Sequence, residues 1–300
     1  DALRVALAGK NMVVTTGTGS GKTECFLYPV IHYLLEQEKD GVLSPGVRIL
    51  LLYPMNALAN DQMQRLRELL KDYPSITFGS YTGETEETRR DAVARYRLLH
   101  DGELPLENEL VSREQMKETP PHILVTNYAM LEYLLVRPAD NVFFDDPRFN
   151  GFWKYIVLDE AHVYSGASGM EVSILLRRLA HRLPTRESLQ FILTSATLGD
   201  DTKDKEILHF ASSLCAGKSF GNASIIRAKR KETNFEATFS GNGALYQDIL
   251  NLLENDRSQQ RNEIKDHLLN ILKKYHIPIP GTINGKKAEE ILYDVFCHDQ

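Results

Sequence analysis

The sequence predicts an α/β fold: a doubly wound, mainly parallel sheet with helices on both faces, followed by a small C-terminal helical module. Three observations predict it. Short apolar segments rich in Val, Ile and Leu recur along residues 1–215 without apolar–polar alternation, as strands buried on both faces do. Each is followed by a turn and a helix-like stretch, the order that builds parallel crossovers. Beyond residue 214 the apolar residues instead recur at spacings of three and four, a helical period.

In chain order, NMVVTT (11–16) is the first strand, and the glycines behind it mark a turn into a helix. VRILLLYP (47–54), ITFGSY (76–81), HILVTN (122–127), YIVLDE (155–160) and QFILTS (190–195) repeat the pattern. Between residues 84 and 121 it lapses. ETEETRRDAVARYRLL reads as a charged helix, and the polar stretch behind it, with Pro105, Pro120 and Pro121, reads as a loop; a surface excursion is expected. The strand-like ASIIRAKRK (223–231) closes a first domain, 1–231. A glycine-marked loop near Ser240 and Gly243 then leads into ALYQDILNLLEN, RNEIKDHLLNILKKY and KKAEEILYDVFC, helical patterns of a module spanning 232–300.

A chain of 300 residues, 42% hydrophobic, is long enough to bury a sizeable core. The net charge of −6 is uneven: residues 201–300 hold 14 basic and 14 acidic groups, leaving 21 against 27 in residues 1–200. Bulk charge therefore gives no sign of a nucleic-acid binder, yet a local track of donors is enough for one. The dense basic cluster Arg227, Lys229, Arg230 and Lys231 reads as a solvated strand end. Cys25, Cys215 and Cys297 are odd in number, far apart and without a C-x-x-C pair, so neither a disulfide framework nor a zinc site is suggested. No apolar run approaches the roughly 18 residues of a membrane helix, and the N-terminal stretch lacks a signal-peptide layout. A cytoplasmic protein without a membrane partner is expected.

The chemistry begins at TGTGSGKT, residues 16–23. Binding a phosphate at a strand-to-helix turn needs inward backbone N–H groups, glycines for close approach and a helix N-terminus. Thr16, Gly17, Thr18, Gly19, Ser20, Gly21, Lys22 and Thr23 supply all three, with Lys22 for the β and γ phosphates and the Thr23 hydroxyl for Mg²⁺. The strict G-x-x-x-x-G-K-[ST] pattern fails at Thr16, and the dinucleotide spacing G-x-G-x-x-G fails at Lys22. ATP with Mg²⁺ is thus expected, a functionless glycine turn being the alternative.

YIVLDEAH (155–162) delivers two adjacent carboxylates at a strand end, beside the phosphates in this fold class. Asp159 would hold Mg²⁺, and Glu160 would orient and deprotonate the attacking water. TSATL (194–198) ends another apolar strand; its surroundings are not G-x-S-x-G, so Ser195 is no hydrolase nucleophile. Two small hydroxyls there suit hydrogen bonding to the Asp-Glu-Ala-His segment.

Together these stretches resemble the first RecA-like lobe of a superfamily 2 helicase, with motif I as T-x-x-G-x-G-K-T, motif II as DEAH and motif III as SAT. The Thr at position 16 is that family's own habit. The resemblance implies that His162 couples the nucleotide to Ser195 and Thr197. YPMNALANDQ, YTGE and TNYAMLEYLL resemble motif Ia, a Thr-Gly element and motif Ib, which in the family lie along the nucleic-acid backbone. Pro54, Asn56, Gln62, Thr82, Gly83, Thr126 and Asn127 inherit that implied role, a turn or cap being the alternative for each. DEAHVYSGASGMEVSILLRRL adds a likeness to DNA helicases of the mitomycin repair factor A type and to antiphage-defence helicases of Druantia systems.

Such helicases place ATP between two RecA-like lobes. No Q-x-x-G-R-x-G-R segment occurs in residues 200–300, and no glutamine precedes Asn11 to read adenine. The expectation is therefore an ATP-binding motor lobe of a DNA helicase or translocase, acting in repair or phage defence. Its second lobe would belong to the same longer polypeptide, and alone it would be nearly inactive. A DEAH-type RNA helicase lobe and a nucleotide-dependent scaffold are the alternatives, DNA being favoured over RNA as partner.

Overall fold

The computed structural model describes residues 1–16, 21–185, 188–195, 203–227, 248 and 261–274. The chain divides into two compact units, Asp1–Lys229 and Arg230–Gln300.

The first unit is built on an eight-stranded sheet. In chain order the strands are β1 (Met12–Thr15), β2 (Ile49–Tyr53), β3 (Phe78–Ser80), β4 (Glu109–Leu110), β5 (Ile123–Asn127), β6 (Tyr155–Leu158), β7 (Gln190–Ser195) and β8 (Ile225–Arg227). Their order across the sheet is β4-β3-β5-β2-β6-β7-β1-β8, and every pair is parallel. The helices are α1 (Ala2–Leu7), α2 (Lys22–Lys39), α3 (Asn56–Leu70), α4 (Arg89–Leu99), α5 (Arg113–Glu118), α6 (Tyr128–Val136), α7 (Gly166–Arg182) and α8 (Asp204–Leu214).

Successive side chains of a strand face opposite sides, and the central strands feed two cores accordingly. Leu50 and Leu52 of β2 join Leu131, Leu134, Val172, Leu176 and Leu179 of α6 and α7. Ile49, Leu51 and Tyr53 join Phe26, Val30, Leu34, Met63 and Leu66 of α2 and α3. Burial on both faces is why these segments carry no polar alternation.

The segment 84–121 is a surface excursion in its first half, where α4 buries Ala92 alone, and departs from that expectation in its second. α4 starts only at Arg89, where the Thr88 hydroxyl accepts from the Asp91 N–H at 3.2 Å and caps it. The presumed loop is woven into the sheet: β4 pairs with β3, and Met116 of α5 is fully buried. Arg67 of α3 makes a fork to Glu109 with contacts from 2.8 Å, so the carboxylate enters the interior neutralised by its partner. Gly79 makes this possible, because a Cβ there would meet the Leu110 carbonyl at 2.6 Å and the Met116 sulfur at 2.8 Å.

At the opposite rim Arg48 is fully buried and donates to Gln37 Oε1 (2.5 Å) and to the carbonyls of Gly46 (2.8 Å) and Val42 (3.2 Å). Burial lowers its pKa to about 10. The buried His122 is lowered to about 4, by desolvation first and the Arg48 charge second. Of the basic cluster at the end of the unit, Arg227 bonds Asp204 Oδ1 at 2.5 Å; Lys229, Arg230 and Lys231 lie outside the described residues.

In the second unit α9 (Arg261–Lys274) is described, with Leu268 and Leu272 buried. The helical pattern at 286–297, and that at 244–255 apart from Asp248, lie outside the described residues. No described helix is long and apolar enough to cross a membrane.

Candidate active site

A parallel sheet sends every strand-to-helix turn off the same rim, and the candidate residues gather there. β7 lies between β1 and β6, so the turn into α2 opens beside Ser195 and two strands from Asp159. Gly17, Thr18, Gly19 and Ser20 lie outside the described residues, as does Thr197. Thr16 is buried, and among the described residues its hydroxyl has no partner. Gly21 precedes α2 with φ of +83°, a conformation open to glycine and strained for other residues. Lys22 and Thr23 then open the helix, whose first N–H groups have no intrahelical acceptor.

Lys22 Nζ donates to Glu160 Oε1 at 2.8 Å, joining two stretches 138 residues apart. These side chains are 10% and 23% exposed, so their attraction is only partly screened. Glu160 itself has φ of +50°, left-handed backbone that ends β6 and turns the chain into the short helix Ala161–Val163. Its N–H donates to Asp159 Oδ1 at 3.0 Å and, more weakly, to Thr194 Oγ1 at 3.4 Å. The Thr194 hydroxyl donates to the same Asp159 oxygen. Burial raises the Asp159 carboxyl above the usual carboxylate range, and these two donors partly offset it. His162 Nδ1 lies 3.3 Å from Glu160 Oε2 and 3.2 Å from Ser195 Oγ, so the imidazole bridges the motif II carboxylate and motif III.

Three hydroxyls near Asp159 were not legible as part of the site. Thr194 stands one residue ahead of the recognised triplet. Tyr53 and Tyr164 are buried, their hydroxyls without a partner among the described residues, and burial followed by the Asp159 charge raises both phenols. Only the strand register, which sets the Asp159 N–H on the Leu52 carbonyl at 3.1 Å, brings Tyr53 to that neighbourhood.

Further along the rim the turns after β2, β3 and β5 meet. Asn127 Nδ2 donates to Asn56 Oδ1 at 2.7 Å, and Asn56 Nδ2 donates to Glu84 Oε1 at 2.9 Å. Asn127 Oδ1 caps α6 by accepting the Met130 N–H at 2.7 Å. Pro54 is partly exposed and Gly83 is exposed at the same rim. Three other candidates are turned inward. Gln62 is 4% exposed, Thr82 uses its hydroxyl to accept the Glu84 N–H at 3.2 Å, and Thr126 donates its own to the Tyr81 carbonyl at 2.6 Å. For these the sequence pattern marks a support of the turns as much as an outward contact.

The sequence matches the DEAD/DEAH box helicase family over residues 1–205. The chain is a member of that family. Among the relatives of this helicase-family chain, Druantia protein DruE of Escherichia coli is 34% identical over 275 residues, covering 63% of this chain and 15% of DruE. The ATP-dependent helicase hrq1 of Schizosaccharomyces pombe is 27% identical over 231 residues, covering 73% and 19%. The crystal structure of DUF1998 helicase MrfA bound to DNA superposes with a TM-score of 0.55 at 26% identity, covering 76% of this chain and 26% of MrfA. The chain thus spans well under a third of each of these relatives.

The donor set suits the magnesium that accompanies ATP in this helicase family. Among the described residues no three or more His, Cys, Asp or Glu side chains form a cage. Magnesium needs none: it keeps several waters and takes one or two protein oxygens plus phosphate oxygens, and Asp159 with Thr23 offers hard oxygens of that kind.

Proposed function

We propose that the chain is the ATP-binding N-terminal motor lobe of an ATP-dependent DNA helicase or translocase. Residues 1–231 would form the RecA-like lobe, and 232–300 an accessory module leading toward a second lobe of the same longer, cytoplasmic polypeptide. The observation that carries the reading is the Lys22–Glu160 contact at 2.8 Å, which sets the phosphate-binding lysine and the general base on one spot. The likeness to MrfA, solved with DNA, favours DNA as the polymer, and the motif resemblance to Druantia-type and mitomycin repair factor A type helicases favours a defence or repair setting.

In this mechanism Lys22 leaves Glu160 for the β and γ phosphates, with the amides at the head of α2 holding the remaining oxygens. Magnesium, held by Asp159 and Thr23, would neutralise phosphate charge. The freed Glu160 carboxylate orients a water and takes its proton as the water oxygen bonds to the γ-phosphorus and the bond to ADP breaks. His162 relays the state of Glu160 to Ser195. Arginines of the second lobe would complete the site, and without them hydrolysis should be slower by about 10³–10⁵.

The test is made on the full-length protein with a fluorescent ATP analogue and a phosphate-release assay, with and without single-stranded DNA. Lys22→Ala should remove nucleotide binding and hydrolysis together. Glu160→Gln should keep binding while turnover falls by about 10²–10⁴, the worth of a general base. Normal turnover in Glu160→Gln would refute the assignment of the base.

A further inference from the structure

On the rim beyond the nucleotide, the side chains of Asn127, Asn56 and Glu84 form a chain whose direction is set at both ends. At one end stands a backbone N–H, that of Met130, which can only donate. Asn127 must therefore turn its Oδ1 toward α6, and this contact is 2.7 Å. Its Nδ2 is then left to face Asn56, which must answer with its own Oδ1, again at 2.7 Å. Asn56 is thereby committed to pointing its Nδ2 at Glu84, and the carboxylate there, a pure acceptor, receives it at 2.9 Å. The other carboxylate oxygen of Glu84 lies 3.9 Å from the Arg95 guanidinium, both side chains being exposed.

The lone pairs and protons committed within this chain decide what the pair can offer a ligand above it. The carbonyl oxygens of both asparagines already accept a bond, and each amide nitrogen keeps one N–H unused among the described residues. Both side chains are partly exposed. A free amide offers a donor and an acceptor alike, and can flip. In this pair each amide keeps an uncommitted N–H at a partly exposed side chain, the group complementary to a phosphodiester oxygen.

We infer that Glu84 is a positioning residue, which holds the Asn56 amide in the orientation that the Met130 N–H imposes through Asn127, so that both amides present N–H groups to a phosphate of the bound strand. The inference rests on the reading of this rim as the nucleic-acid track, and it names a residue no phosphate should contact. Coulomb's law alone makes the opposite forecast, since an acidic group beside a phosphate track weakens binding and its neutralisation should only help.

Two variants of equal charge and similar size separate the effects. Glu84→Gln keeps an acceptor for Asn56, whereas Glu84→Met removes it. Binding of fluorescein-labelled oligothymidylate to the full-length protein is measured by anisotropy, with nucleotide affinity of each variant as the check on folding. The Gln variant should bind about fivefold tighter than the Met variant, the worth of one hydrogen bond between polar groups. Equal affinities would overturn the inference while leaving the nucleic-acid reading intact. A wild-type protein that does not bind oligothymidylate would sink that reading, and the role of Glu84 with it. If Glu84→Met does not fold, Glu84→Ala gives the same comparison at equal charge.

Discussion

At the scale of single residues, Asp159 is held by groups that sequence patterns do not advertise. The Thr194 hydroxyl and the Glu160 N–H converge on one of its oxygens, so the other is left to be aimed by them. Removing the hydroxyl in Thr194→Val should weaken the Mg²⁺ dependence of nucleotide binding by about tenfold, as loss of an orienting partner does elsewhere. Titrating Mg²⁺ against a fluorescent nucleotide reads this directly, and Thr194→Ser should restore it. The phosphate-loop lysine, its threonine and the two carboxylates were legible because their spacing is dictated by phosphate chemistry within a few residues. Thr194 lies 35 positions from its partner and Glu84 lies 28 from Asn56, distances at which only the folded sheet establishes a neighbour.

At the scale of elements, apolar runs of four to six residues exposed β1, β2, β5, β6 and β7 to sequence reading, since burial on both faces suppresses polar positions. β4 escaped it: two residues at the sheet edge, Glu109 and Leu110, give no period, and a glutamate is unexpected at a buried position. Its burial depends on Arg67, a contact across 42 residues. Gly79→Ala is the sharp test of this corner, because the added methyl group would press on the Leu110 carbonyl and the Met116 sulfur. Crowding of this kind costs about 1–3 kcal/mol. A lower midpoint in chemical denaturation should accompany loss of amide protection in β4 and α5, with nucleotide affinity little changed.

At the scale of the molecule, titration at the far rim should govern acid stability. His122 is neutral and lowered to about 4 in the fold, against 6.5 for the free side chain, so the unfolded chain binds the additional proton first as pH falls. Its contribution is full above pH 6.5 and is lost as pH drops toward 4, amounting to about 3 kcal/mol over that window. His122→Gln should flatten the dependence of denaturation midpoint on pH between those values. The parallel order of all strands has a further consequence. Arg48 and His122 stand at the strand starts, while Asp159 and Asn127 stand at the strand ends, roughly 16 Å away along five-residue strands. Durability and the proposed turnover are therefore inscribed on opposite margins of one sheet. Changes at the two margins should add without interaction, leaving each property free to drift while the other is held by selection.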